Sequence, residues 1–413
     1  MSSVLNNSTV DEAEAGSDAK PLIEVGLVLA GSFDAIDQEA SAGASRQVHE
    51  RLQALFPEFR WRLMVVERAE IAADSREEPV AFFPQAQAER DLHQWDFVIV
   101  LTNADLIGHD KPYTFAAVSR TLDIAVMSTA RVDPHAMDAD ATREVRVQRV
   151  THRLAVLMLR CLGHLNGLDH SDDPNQLMWD AESVDDLDRG EDLTPAQITR
   201  MATNLREIAD LRLEERSDGG ARSHLAFVCQ AGIAQRQEII AGVMEAEPWQ
   251  FPVRLSRLTT AAVSAMLVLL MTAETWDMAM SQPALSVWGL LLAAIVITTA
   301  YVVVRQQLLV RRQDQLMTEQ IAVSNITATV TVLCGLLTML LILYVTSLSL
   351  SLLLFPRTLI SGWAASIDGP IQFGHHLLLS GVVSALSLSI GALGAAFEDQ
   401  SYFRHVTFVD EEL

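Results

Sequence analysis

Basic residues are scarce in this chain. Its 30 Lys and Arg stand against 53 Asp and Glu, a formal charge of −23 over 413 residues, which argues against a nucleic-acid binder. Cysteine is scarcer still. Cys161, Cys229 and Cys334 lie in separate segments with no even set and no C-x-x-C pair, so neither a disulfide framework nor a zinc ribbon is supported, and a reducing compartment fits best. The first 20 residues lack both a basic n-region and an apolar h-region, so no secretory signal is readable. Their small, polar and acidic composition predicts a disordered tail over 1–20. At roughly 150 residues per domain the length allows two or three domains.

What the last third lacks is charge near the centre of its apolar runs. Mean hydropathy is +0.21, high for an acidic protein, because apolar residues concentrate there. Four runs, from 258 to about 276, 285–304, 326 to about 355, and 377–397, each approach or exceed the roughly 18 to 20 residues that a bilayer core demands. They predict an all-α membrane domain of four transmembrane helices over 257–397; the first has Glu274 and Asp277 at its far end and only about 16 uninterrupted apolar residues, the length of a short tilted span or an interfacial segment. Arg254 and Arg257 precede the first run and Arg305, Arg311 and Arg312 follow the second, whereas the loop holding Glu274 and Asp277 has no Lys or Arg. This asymmetry predicts a multi-pass protein of the cell membrane with both termini cytoplasmic, the bilayer being its first partner. No run has an ionisable residue near its centre, and His375 and His376 fall at the entry of the last, so an ion pathway is not supported. Ser380, Ser384, Ser387, Gly391 and Ala395 make a small-residue face on the last helix, suited to packing within the chain or to a homo-oligomer.

The preceding part reads as an α/β domain over 21–216. Residues 23–30 (IEVGLVLA) form a buried-strand pattern, 44–56 an amphipathic helix with Val48, Leu52 and Leu55 on one side, and 61–66 a second strand. Residues 85–95 predict a helix, and 96–101 and 122–127 two more strands. A long helix is expected over 141–164, its stripe being Val147, Val150, Leu154, Leu157 and Cys161. Thr194 followed by Pro195 opens another helix, expected to reach about residue 216, before SDGG at 217–220 breaks the chain. Residues 217–256 then serve as linker and juxtamembrane helix, and 398–413 as a cytoplasmic tail.

The chemistry concentrates in LGHLNGLDH, residues 162–170. A helix delivers His164, Gly167 stops it where the backbone can turn back, and His170 then approaches the same point, with Met178 eight residues beyond. Residues 160–170 with Met178 resemble the metzincin zinc-peptidase motif H-E-x-x-H-x-x-G-x-x-H and its Met-turn, most closely in the archaemetzincin branch. The resemblance implies a mixed sheet with a long active-site helix, zinc as cofactor, His164 and His170 as the second and third zinc histidines, Gly167 as the turn glycine and Met178 as the Met-turn residue. TNADL at 102–106 resembles the family's T-x-x-D-L segment, with Asp105 at the aspartate and His109, Tyr113 and Phe115 following where an edge strand and cleft are expected.

Two positions depart from that motif. Arg160 stands where the first zinc histidine belongs, and Cys161 where the catalytic glutamate belongs. A guanidinium does not ligate zinc, and a hydrolytic zinc site needs three protein ligands and a carboxylate base. Ser171 and Gln176 occupy places where archaemetzincins carry cysteines, so their second metal site is unsupported. One residual ligand set is Cys161, His164 and His170, because i,i+3 residues share a helix face; Asp169, Asp172 and Asp173 crowd the same turn. The leading expectation is therefore a membrane-anchored pseudo-peptidase whose cytosolic cleft holds a peptide or protein partner. An active zinc peptidase with that Cys/His/His set and a base such as Glu144, Glu182 or a turn aspartate is the alternative, and a membrane docking or assembly protein is the third.

Overall fold

The structure, a computed structural model, describes residues 20–71, 75–109, 111, 114–133, 142–190, 192–209, 230, 232–233, 235–309, 319–364, 366–367, 370–394 and 400–413. Residues 1–19, Tyr113, the 217–220 boundary, Cys229 and Ala395 lie outside them.

Short, largely apolar strands build a six-stranded sheet in the order β2-β1-β4-β7-β6-β8. Strands β1 (Leu22–Ala30), β2 (Arg60–Arg68), β4 (Phe97–Thr102) and β7 (Ile124–Ser128) are parallel; β6 (Ala116–Ser119) runs antiparallel to β7. A separate two-stranded ladder joins β3 (Arg76–Glu77) to β5 (Asp105–Leu106). Period 2 divides the side chains between two cores. Val25, Leu27, Ile99, Ala125 and Met127 face α1 (Ala35–Leu55) and α3 (Arg143–Leu165), while Val28, Val98, Val100 and Val126 face α2 (Phe83–His93) in a core continuous with the apolar helical region.

Helix α1 begins at Ala35, nine residues before its expected start. Asp34 caps it, its carboxylate accepting from the N–H groups of Ile36 and Asp37 at 2.8 Å. The buried face of those extra turns is Ala40, Ser41, Ala44 and Ser45, small residues that lie close to α3 but give almost no amphipathic signal. Helix α4 (Pro195–Ile208) starts as expected, with a reciprocal capping box between Thr194 and Gln197; its expected continuation to 216 passes beyond the described residues.

The C-terminal region is helical: α5 (Arg236–Glu245), α6 (Ser256–Leu270), α7 (Ala273–Met280), α8 (Ala284–Arg305), α9 (Glu319–Leu353), α10 (Arg357–Trp363), α11 (Phe373–Gly394) and α12 (Gln400–Phe408). Helices α8, α9 and α11 are long and apolar enough to cross a membrane. The first expected span is shorter than its apolar run. Helix α6 has 15 residues, about 22 Å, because Thr272 is extended and the chain restarts as α7, whose Trp276 Nε1 donates to the Leu270 carbonyl at 2.8 Å. A fourth span exists if the helical stretch Ile239–Arg254 and α6, bent by 53°, cross as one. The small-residue face of α11 is turned inward: Ser380, Ser384 and Ser387 are buried, and Gly391 lies against Ala262 of α6.

Residues 400–413 are not a free tail. Helix α12 leads back to the α/β domain, and β8 (Glu411–Glu412) adds to the sheet antiparallel to β6, with Val118 opposite Glu411 and Ala117 opposite Glu412. The main chain of Asp410 donates to Val118 O at 2.9 Å, that of Leu413 to Ala116 O at 2.8 Å, and that of Phe115 to Leu413 O at 2.6 Å. Leu413 is buried in the core shared with α3.

Candidate functional site

The apolar stripe of α3 carries its last turn under the sheet edge and delivers His164 there, only 7% exposed. Gly167 ends the helix at φ +68°, where an L side chain is strained, and its N–H donates to His164 O at 2.8 Å. The reversal brings His170 back, so that the two imidazoles lie 4.7 Å apart at 57°. Met178 is fully buried beneath Gly163, and its carbonyl accepts from the Ser171 N–H at 2.9 Å. His164, Gly167, His170 and Met178 therefore meet in one place.

The other predicted residues take different positions. Arg160 is 1% exposed, and its Nη2 donates to Asp186 O at 3.2 Å in the 3₁₀ turn Val184–Asp188. Two helical turns earlier Arg153 grips the same 3₁₀ turn from Nε to Asp188 at 2.6 Å, while its Nη1 donates to Val132 O, beyond that turn, at 3.0 Å. Arg160 thus serves a structural clamp. Cys161 lies wholly in the apolar core and is absent from the cluster of candidate ligands, so the structure does not assemble the Cys161, His164, His170 set. Ser171 Oγ donates to Gln176 Oε1 at 2.6 Å, a neutral pair. Asp169 is exposed beside Arg200, and Asp173 accepts from the Asn175 N–H, so the acidic turn is solvated. Asp105 braces its loop through Arg131, at 2.5 and 2.7 Å. Glu144 sits in the first turn of α3, about 30 Å along the helix from His164. Glu182 belongs to the loop before the 3₁₀ turn, its N–H bonded to Asp186.

The residue that sequence reasoning missed is Glu411. Its Oε1 lies 2.7 Å from His170 Nε2, and ligand atoms of His164, His170 and Glu411 all fall within 4.8 Å of one another. Beside it Glu412 is buried, accepting from the N–H groups of His109 and Lys111 and from Thr114 Oγ1, with His405 Nε2 at 3.2 Å.

Burial sets the protonation states. It pushes the Cys161 thiol up to about 12, which leaves it protonated and unable to act as thiolate or base. Burial, helped by the neighbouring His170, pushes His164 down to about 4, so it is a neutral imidazole at pH 7. The hydrogen bond that His170 donates to the Glu411 carboxylate raises its pKa above the ordinary value. Desolvation lowers Arg160 to about 10, which keeps it cationic.

A three-imidazole zinc site does not fit these residues, since Arg160 is tied elsewhere. A set of two imidazoles and one carboxylate does fit: His164 Nε2 is buried with no hydrogen-bond partner among the described residues, and Glu411 supplies the anionic oxygen.

No protein-family model and no curated protein matches the chain. Among solved structures it is similar to a zinc-dependent peptidase from Methanocorpusculum labreanum, with 15% identity over 43% of this chain and 99% of that one and a TM-score of 0.35. It is also similar to archaemetzincin from Methanopyrus kandleri, with 19% identity, 45% and 97% coverage and a TM-score of 0.34. A third is archaemetzincin from Archaeoglobus fulgidus complexed with malonate, with 14% identity, 43% and 99% coverage and a TM-score of 0.31. The resemblance is one of fold and covers less than half of this chain.

Proposed function

We propose that this chain is a membrane-anchored pseudo-peptidase: a metzincin-like domain that binds an extended polypeptide at the edge of its sheet and does not hydrolyse it. The observation that carries this reading is the fate of the two departed positions. Arg160 is buried as a clamp on the 3₁₀ turn, and Cys161 is buried as a protonated thiol in the core. His164, His170 and Glu411 would hold zinc, which would supply Lewis-acid polarisation of a carbonyl or water. Hydrolysis also needs a carboxylate that takes the proton from that water, and the place for it holds the Cys161 thiol.

Binding is supported by the way β6 accepts β8. Main-chain pairing gives affinity and alternate side-chain positions give selectivity, the mode of β-strand addition. The resident strand is acidic at Glu411 and Glu412 and apolar at Leu413, so a competing peptide partner would carry two adjacent acidic residues followed by an apolar one.

The same pairing bears on topology. A segment that follows the last apolar helix and joins the sheet preceding the first one lies on the sheet's side of the bilayer, which requires an even number of crossings. Three long helices alone are odd; counting the bent pair ending in α6 makes four. With the Arg-rich loops inside, the sheet and β8 both face the cytoplasm.

The test uses the full-length protein in lipid nanodiscs with excess zinc and a mixed peptide library read by mass spectrometry. Wild type is expected to give no cleavage, and Arg160→His with Cys161→Glu, which rebuilds the motif, is expected to gain zinc-dependent cleavage. Cleavage by wild type that disappears in His164→Ala would overturn the proposal.

A further inference from the structure

We infer that Glu411 of β8 completes, with His164 and His170, a site for a borderline divalent cation such as zinc, and that the bound cation fastens β8 to the end of α3. The inference goes beyond the pseudo-peptidase reading and fails independently of it.

Three observations carry it. The first is geometric. Ligand atoms of the three side chains lie within 4.8 Å of one another, whereas tetrahedral bonds of about 2.1 Å place donor atoms roughly 3.4 Å apart, so rotamer-scale adjustment closes the set. The second is an unsatisfied buried atom. His164 Nε2 is sealed from water with no partner among the described residues, and the Nδ1 atom of His170 is likewise buried and unpartnered. A buried polar atom left unpaired is destabilising, and a cation held by His164 removes that cost at its imidazole. The third is charge. Glu411 brings a carboxylate into a site otherwise facing Arg160 and Lys111, whose charges are balanced by Asp186 and Asp180. Asp169 and Asp180 act on the two imidazoles from further off, and Glu411 is the carboxylate that reaches one of them directly, at 2.7 Å from His170 Nε2.

The donor chemistry selects the cation. Two imidazoles and one carboxylate form a known zinc set and suit zinc over calcium or magnesium, which favour all-oxygen sites. The third ligand lies 241 residues from the second, beyond the whole helical region. Metal occupancy therefore depends on β8 being docked, and by linkage the cation stabilises docking by the same factor.

The experiment measures zinc binding to full-length protein in nanodiscs by chelator competition, with total zinc by elemental analysis and cobalt(II) absorption as a ligand-field readout. Wild type is expected to hold about one zinc per chain. Glu411→Gln should weaken binding by more than about 100-fold, beyond the loss typical of an outer-sphere partner, and Glu411→His, which restores a donor, should recover it. Zinc should also slow amide exchange at Asp410 and Leu413 in wild type and leave it unchanged in Glu411→Gln. Equal zinc affinity in wild type and Glu411→Gln, absence of zinc from folded wild type, or zinc binding with no effect on those amides would each overturn the inference. Peptide cleavage by the zinc-loaded protein would instead count against the pseudo-peptidase reading and leave this one standing.

Discussion

Replacing Leu413 by alanine should release β8 while sparing the rest of the sheet. Leu413 is 3% exposed and packs in the core shared with α3, so truncation removes a buried apolar side chain and leaves a cavity. Such changes cost about 2–5 kcal/mol in a closed core. At a sheet edge, where the strand can relax, the lower half of that range applies, about 2–3 kcal/mol. The remaining anchors are the main-chain bonds to Ala116 and Val118, each worth about 0.5–1.5 kcal/mol net, and the buried Glu412 with its N–H and hydroxyl donors. They hold β8 in place for part of the time. Since 1.4 kcal/mol is tenfold, exchange at the Asp410 and Leu413 amides should accelerate about 30- to 150-fold, while amides of β1 and β4 keep their wild-type rates. Hydrogen-exchange mass spectrometry of metal-free protein in nanodiscs reads both sets at once. Unchanged exchange at 410–413, or a uniform acceleration across the sheet, would refute the reasoning, the first because β8 is not docked and the second because it is not a separable unit.

Metal-free protein should show opposite pH effects from the two histidines. His164 has a folded pKa of about 4 against 6.5 unfolded, so its site is stable above pH 6.5 and loses up to about 3 kcal/mol as pH falls to 4, a loss absent from His164→Gln in local exchange at the end of α3. His170 is raised by Glu411, so its contribution is complete below pH 6.5 and fades as pH rises through the raised value; β8 should loosen on that side, and Glu411→Gln should abolish the trend. Cys161 should resist alkylation until the protein is denatured, and Cys161→Ala should leave zinc affinity at its wild-type value; a drop in affinity would return the thiol to the ligand set. Gly167→Ala should cost about 1–2 kcal/mol from the left-handed backbone alone, read as a lower thermal midpoint, with Arg120 displaced from the space its Cβ needs.

What the sequence makes legible follows from signal length. Strands such as 23–30 and 96–101 are continuous apolar runs, α3 has a long single stripe, and α8, α9 and α11 are long apolar helices, so each was readable, although α9 begins seven residues before its apolar run. Short elements were not. Strand β6 is AAVS, four residues with no turn signature, and β8 is two glutamates, the opposite of a strand composition. The early turns of α1 were hidden by alanine and serine, whose burial depends on close approach to α3 and not on hydrophobicity. The break between α6 and α7 falls at Met271 and Thr272, just before Glu274 and Asp277, the charges that limit the uninterrupted apolar part of this run.

The site divides the same way. His164, Gly167, His170 and Met178 are local in sequence and carry a spacing, so their convergence was expected. The role of Arg160 was hidden because its partner is a main-chain carbonyl, at Asp186, that leaves no sequence pattern. Glu411 was hidden by distance: it reaches His170 only after the chain has passed through every apolar helix. The nearest hint was the amphipathic run from Tyr402 to Phe408, which marks residues 400–413 as something other than a solvated tail.

The most direct test of the account is whether β8 occupies the edge of β6 in the membrane-embedded protein. Val118→Cys with Glu411→Cys places two thiols at opposed positions of the antiparallel pair. Mild oxidation in native membranes followed by proteolysis and mass spectrometry should yield a linked peptide joining the two sites, with little link when 118 is paired with a cysteine at 402. Absence of the 118–411 link, with the cysteine at 411 freely alkylated, would contradict the docked strand and the site built on it.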